Sequence, residues 1–351
     1  MNTHTSPKAQ RGAVTLLVAL MIPVFLGIAA LVIDVAYLQF VRNELQNDAD
    51  AAALAGAKQL RSTTSATPQW SAAETAAFSA ISLNSADGKK LSTGTVQSGY
   101  WNPTQVNAVL QMLPMTPTAN DVPAVQVTLR KGTGENDGEV PTFFARILWN
   151  MLSTPVTVTA VAGMTSPGTI EPGGLFPLVA SQCVYDTYWN SKATPPGPAL
   201  DPATGKPFLL VLEAYDDKPK DPCKTFQWSS LLTDNNDVTT FRKLVEERNP
   251  VSLSIGQKIW IEPGSKSTLF DKVDDCSAAN SKSCEYVTLP MVSTIAGHSD
   301  QPISSFACAR IVDASKQDKT ITIQLSTQCP QPPSGGIGPN FGAVSPPSLF
   351  R

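Results

Sequence analysis

The pattern of apolar and polar positions changes character three times along the chain. From Gly12 to Ile33, between Arg11 and Asp34, no residue is charged. As a helix these 22 residues reach ~33 Å at about 1.5 Å each, enough to cross a hydrocarbon core of roughly 30 Å. Pro23 sits mid-span, where it removes one backbone bond and predicts a kink. Beyond Asp34 the pattern stays helical to about Leu60. Leu38, Val41 and Leu45 recur at spacings of three and four, and Ala49, Ala52 and Gly56 continue the same stripe. Asp48, Asp50 and Lys58 keep other faces wet. Small residues on one face let a second helix approach closely. The stripe therefore has two readings: packing on its own domain, or packing into an assembly of like helices.

Downstream the period alternates between helix and strand. A helix is predicted around Ala72–Ile81. Strands follow from alternation at Val106–Met112, Val125–Leu129 and Val156–Ala162. Between the last two, Phe143–Trp149 reads as an amphipathic helix starting after Pro141, with Phe143, Phe144, Ile147 and Leu148 assigned to the core. Residues Gly163–Gly174, rich in Gly, Pro, Ser and Thr, read as a linker. After it come strand candidates at Phe208–Leu212, Lys258–Glu262, Tyr286–Val292, Phe306–Val312 and Thr320–Leu325, with Ala314–Asp318 as a hairpin loop. One helix, Val238–Arg248, carries Phe241, Leu244 and Val245 on one face. From Pro330 the Pro, Gly and Ser content predicts a disordered or extended tail.

The expected fold class is thus α+β. A single N-terminal transmembrane helix continues into a long helix, followed by a mixed α/β extracytoplasmic domain and a β-rich disulfide-containing region. The expected boundaries are 1–11 cytoplasmic, 12–33 membrane, 34–61 helical stalk, 62–166 α+β domain, 167–329 cysteine-containing domain and 330–351 tail.

Composition adds compartment and excludes some partners. Charged residues make up 16 % of the chain, below the roughly 25 % usual for soluble domains. The net charge is −3, and no basic cluster stands out, which argues against nucleic acid as a partner. The six cysteines, Cys183, Cys223, Cys276, Cys284, Cys308 and Cys329, all follow residue 182 and form no CxxC. With only His4 and His298 in the chain, a Cys/His zinc site is disfavoured. An even count in this region reads as disulfides in an oxidising compartment. Connectivity is open; pairing sequence neighbours gives Cys183–Cys223, Cys276–Cys284 and Cys308–Cys329. Lys8 and Arg11 precede the apolar run, so the positive-inside rule keeps the N-terminus cytoplasmic and exports the rest, a topology the cysteines support independently. The competing reading is a signal peptide cleaved near Gly27-Ile28-Ala29.

No arrangement of side chains points to catalysis, and no cofactor or metal is implied. The exported His298 lies in a turn-like Gly297-His298-Ser299-Asp300 string, without the partners a nucleophilic triad assembles. Phosphate-loop, Gly-x-Ser-x-Gly and His-Glu-x-x-His patterns do not occur. Asp216-Asp217 and Asp274-Asp275 read as solvated turns. Asp234-Asn235-Asn236-Asp237 offers oxygen ligands but lacks calcium-loop spacing and its terminal glutamate.

Arg11-Gly12-Ala13-Val14, the apolar span, Asp34-Val35-Ala36 and Leu45–Ala57 with its DADAAALAGA run closely resemble the N-terminal segment of TadG-like proteins of the tight-adherence (Flp) pilus assembly system. Gly99-Tyr100-Trp101-Asn102, Ala124–Leu129, Phe143-Phe144-Ala145-Arg146 and Val156–Ala162 are similar, in that order, to the extracytoplasmic domain that follows the anchor. Two features depart from the wider group. Pilins are cut after a glycine with a glutamate five residues on, whereas the fifth residue after Gly12 is Leu17. The Asp-x-Ser-x-Ser metal motif of longer TadG-like proteins is missing; the nearest string is Asp313-Ala314-Ser315-Lys316-Gln317. The resemblance implies a non-enzymatic, single-pass inner-membrane component of pilus assembly with a periplasmic C-terminal region. Its implied partners are the membrane, pilin or other assembly subunits, and a homo-oligomer through the N-terminal helix. The alternative is a cleaved, secreted, adhesin-like module unrelated to pili.

Overall fold

The computed structural model describes residues 11–61, 67–118, 120–193, 195–214, 221–232, 237–262, 266–295 and 299–350. It divides into two compact units. The first joins Met1–Ala52, Phe78–Val96 and Val127–Ala160; the second joins Ala53–Ala77, Gln97–Gln126 and Val161–Arg351.

Helix α1 runs without interruption from Arg11 to Gln59, 49 residues, and carries Pro23 inside it. Its large apolar side chains from Leu16 to Ile33 are exposed, whereas Val41, Leu45, Ala49, Ala52 and Ala53 are fully buried. Helix α2 is Trp70–Ile81. Between α2 and the main sheet a hairpin pairs Ser85 with Lys90 and Ala86 with Lys89. Its two turn residues, Asp87 and Gly88, both have positive φ (57° and 67°). A two-residue primed turn requires this, and Asp-Gly supplies it.

Strands β1 (Thr95–Trp101), β2 (Gln111–Met112), β3 (Val122–Lys131) and β4 (Val156–Gly163) belong to a five-stranded sheet. In β3 the buried positions Val125, Val127 and Leu129 alternate, as do Val156, Val158 and Ala160 in β4. The alternation at Val106–Met112 yields only two strand residues. Val106 is 91 % exposed, because Asn102 caps a turn through Thr104 and Asn107 takes φ 58°. Helix α3 is short, Ala145–Trp149, and contradicts its expected burial. Ala145 is buried, while Phe143, Phe144, Ile147, Leu148 and Trp149 are exposed.

In the second unit, strands β5 (Leu178–Ser181), β6 (Leu210–Ala214), β7 (Thr225–Ser229), β8 (Lys258–Glu262), β9 (Tyr286–Val292), β10 (Ser299–Ser315) and β11 (Thr320–Leu325) form one sheet. Its pairings close into a ring: β5 with β9, β9 with β10, β10 with β11, β11 with β6, β6 with β7 and β7 back to β5. The seventeen-residue β10 also pairs its first residues with β8. Register shifts near Ser304 and Val312 bend it between its partners. The hairpin after it is tighter than expected: Ser315 pairs with Thr320, so Asp313–Ser315 lie in strand.

Helices α4 (Gln182–Tyr188), α5 (Val238–Glu247) and α6 (Ser267–Cys276) pack against this sheet. Tyr185, Phe241, Phe270, Phe226 and Trp228 share one buried core. Phe226, Trp228 and Phe270 meet edge to face with ring centroids 5.7–6.1 Å apart, the arrangement ring quadrupoles favour. Tyr185 donates its hydroxyl to the Cys308 carbonyl at 2.7 Å, and burial holds that hydroxyl well above its ordinary range.

Two passages expected to be loose are ordered. Met164, Thr165 and Ser166 are buried, and Thr169–Ile170 pairs with both Leu253–Ser254 and Ser334–Gly335. The tail returns as strand β12 (Ser348–Phe350), which pairs with Val161–Gly163 and completes the order β12-β4-β3-β1-β2. Phe350 stacks on Trp101 at 6.0 Å. Proline and glycine here mark irregular backbone, which is not the same as free backbone. At Gly338 a Cβ would lie 2.4 Å from the Pro167 carbonyl oxygen.

Candidate functional site at the end of the apolar helix

The polar contacts of the first unit gather where α1 leaves its charge-free stretch. Asp34, the first charge after that stretch, is buried and accepts backbone N–H groups of Phe143 (2.8 Å), Phe144 (3.0 Å) and Ala145 (2.6 Å). Burial alone would push its carboxyl up. The three donors outweigh that and hold it below the ordinary carboxylate range. One turn on, Tyr37 sets its ring edge against Phe143 at 5.1 Å and donates its hydroxyl to Asp87. That hydrogen bond, with burial and the charges of Asp87 and Glu44, pushes the Tyr37 hydroxyl up to about 12.

Asp87 is the centre of a second layer. Its backbone N–H donates to Glu44 at 2.8 Å, and its other carboxylate oxygen lies 3.7 Å from the ammonium of Lys131. Lys131 is 1 % exposed and also donates to the Asn136 carbonyl at 3.0 Å. Asn136, at φ 48°, accepts from the N–H groups of Ser92 and Thr93 and donates to the carbonyls of Thr93 and Arg130. A buried cation with both a carboxylate and a carbonyl is a satisfied one. The arrangement can clamp a helix to a domain. It presents no nucleophile–base pair, and among the described residues no three His, Cys, Asp or Glu side chains gather to hold a metal.

Further along α1, Gln46 donates to Asp50 (2.8 Å) and to the Thr159 carbonyl (3.3 Å). Asp48 keeps one carboxylate oxygen buried without a hydrogen-bond partner. Burial first, and the nearby Glu44 charge second, push its carboxyl up to about 6. In the second unit Gly56 lets α1 touch α2. A Cβ there would lie 2.9 Å from both the Ala73 carbonyl oxygen and the Ala77 methyl. Arg61 donates to the Thr327 carbonyl beside a cavity of about 120 Å³ lined also by Leu60, Tyr100, Asp121 and Met164. Burial lowers its guanidinium to about 10.

Of the stripe residues, Leu38 is half-buried, and Val41, Leu45, Ala49, Ala52 and Gly56 are buried within this chain. The cysteines are bridged Cys183–Cys223, Cys276–Cys284 and Cys308–Cys329, with Cα atoms 5.2, 4.9 and 5.7 Å apart. Asp237 caps α5 by accepting from Thr240 N–H. Asp274, within α6, accepts from Asn280 and from Ala314 N–H. Lys8, His298, Asp216-Asp217 and Asp234–Asn236 lie outside the described residues. Periodicity and motif alone single out neither Asp87 nor Lys131, nor the role of Asp34. Signals for them exist: the Asp-Gly dipeptide, a lysine in phase with Val125, Val127 and Leu129, and an acid placed directly at the end of an apolar run.

Among the described residues one helix, α1, is long and apolar enough to cross a membrane, and its first polar turns are clamped to the Asp87 hairpin and the Phe143–Ala145 backbone of the first unit. Residues 12–59 match the family described as putative Flp pilus-assembly TadE/G-like, and residues 55–162 match putative Tad-like Flp pilus-assembly. The chain is TadG-like across these tandem segments, and residues 163–351 lie beyond both matches. No curated protein and no solved structure matches the chain significantly.

Proposed function

We propose that this chain is a membrane-anchored, non-enzymatic structural component of a Flp-type pilus assembly machinery, single-pass in the inner membrane with its C-terminal region periplasmic. The observation that carries the reading is the tandem family match, which runs from the apolar helix directly into the domain to which that helix is clamped. Export is supported by Arg11 before the apolar run and by three disulfides beyond it. Burial of Val41, Leu45, Ala49, Ala52 and Gly56 supports an intramolecular role for the small-residue stripe. A homo-oligomer would then form through other faces of α1, and contacts with pilin or assembly subunits through the exported surface. Deleting the gene from a piliated strain should abolish or alter surface pili, with recovery on complementation. Unchanged pilus number and adherence would refute the proposal.

A further inference from the structure

The segment between Val140 and Thr154 is an apolar surface feature with its own folded backbone. Val140–Pro141 pairs with Ser153–Thr154 at its base. Thr142 N–H donates to the Leu152 carbonyl at 3.1 Å, and Met151 N–H to the Ala145 carbonyl at 3.3 Å. Asn150, in the left-handed region at φ 55°, ends α3. With its backbone thus bonded, the tip holds its side chains outward: Ile147 is 77 % exposed, Trp149 59 % and Leu152 62 %. The only charged residue between Glu139 and Glu171 is Arg146, which is exposed. A monomer in water rarely leaves so dense an apolar patch uncovered.

Its position along α1 identifies what covers it. The Asp34 carboxylate grips the backbone of Phe143, Phe144 and Ala145, and Asp34 directly follows the last residue of the charge-free run. Tyr37, which touches Phe143, is one turn further, about 5 Å along the axis. A bilayer's polar layers add roughly 5–7 Å to each side of the hydrocarbon core. If residues 12–33 fill that core, the tip begins inside the polar layer on the exported side.

We infer that Phe143–Leu152 is a second membrane contact: an interfacial foot whose Ile147, Trp149 and Leu152 side chains enter the headgroup–acyl boundary. Trp149 has the amphipathic ring that favours this depth, and Arg146 offers its guanidinium to lipid phosphates. With Asp34 holding foot to span, the first unit meets the membrane at two points and cannot spin freely about the helix axis. This inference rests on the reading that residues 12–33 cross a bilayer, and it is independent of any role in pili.

The test uses the full chain in phosphatidylcholine proteoliposomes. Flotation reports on the span. Tryptophan quenching by lipids brominated at shallow acyl positions reports on the foot, since none of the six tryptophans lies in the span. Wild type should float and be quenched, and Trp149→Phe should float with that quenching lost. Equal quenching in the two proteins would overturn the foot while leaving the span intact. Failure to float would remove the span and the foot together. As a second arm, Ile147→Asp with Leu152→Asp should float normally but lose the quenching of Trp149; full quenching in that variant would also overturn the inference.

Discussion

Helices α3 and α5 look alike as strings, each with aromatic and aliphatic residues at helical spacing, yet they finish in opposite places. In α5, Phe241, Leu244 and Val245 are buried, while Arg242, Lys243, Glu246 and Glu247 occupy other faces, and Lys243 pairs with Glu247 at 3.6 Å. Its cap is its own neighbour, Asp237. In α3 the apolar residues surround the axis, Arg146 is the sole charge, and Phe144 at the N-cap provides no side-chain hydrogen bond. The carboxylate that serves its first amides comes from Asp34, 111 residues earlier. A helix with one polar face has a defined inside and outside. A helix apolar all round takes its place from whatever holds it.

The comparison can be broken in several ways. Reduction should have the largest effect. The three bridges close loops of 40, 8 and 21 residues, and a loop of such size contributes about 3 kcal/mol in the chain-entropy account. In detergent, hydrogen exchange should then show α5 amides losing protection with α3 amides unchanged; equal loss in both would dissolve the distinction. Next, Phe241→Ala should cost about 3–5 kcal/mol in urea unfolding, because it empties a fully buried site. Trp149→Ala, measured in detergent, should stay within ~0.5 kcal/mol.

Asp34→Ala should speed exchange of the Phe143, Phe144 and Ala145 amides and leave α5 untouched. Because the folded-state carboxyl sits below its ordinary value of 3.8, the wild type's extra protection should be complete above that value and vanish as pH falls through the lower folded one. A further test concerns Asp48, whose carboxyl is raised from 3.8 to about 6. Wild type should gain stability as pH falls between those two values. Asp48→Asn should be flat across that window and more stable at neutral pH. A thermal melt series checks the sign, and a wild type that weakens across the window contradicts the account.

What the sequence disclosed depended on the kind of signal. Long runs of one period were legible: α1, the helix at Val238–Glu247, and strands such as Lys258–Glu262 and Tyr286–Val292 fall where the periodicity put them. Helix α6 is faint in the sequence because Leu269, Phe270 and Val273 sit among polar residues over barely three turns. The order of Gly163–Gly174 and of the tail was hidden because irregular backbone is fixed by distant partners, such as the Ser345 N–H donated to the Thr165 carbonyl. The clamp was hidden for the same reason. Asp34, Asp87 and Lys131 are ordinary polar residues until folding brings them beside Phe143, Tyr37 and Asn136.

The strand Ser348–Phe350 sets a timetable for the sheet it joins. Its register partners, Val161–Gly163, stand at the end of the family-matched region. The roughly 190 residues between Val161 and Phe350 take about 10–40 s to synthesise at ~5–20 residues per second. Until residues 348–350 exist, no strand of this chain can pair with β4 at Val161–Gly163, and an unpaired strand edge is a template for any extended segment that reaches it. The last strand of the sheet is therefore the last part of it to be made, and the order β12-β4-β3-β1-β2 can be complete only once residues 348–350 are present.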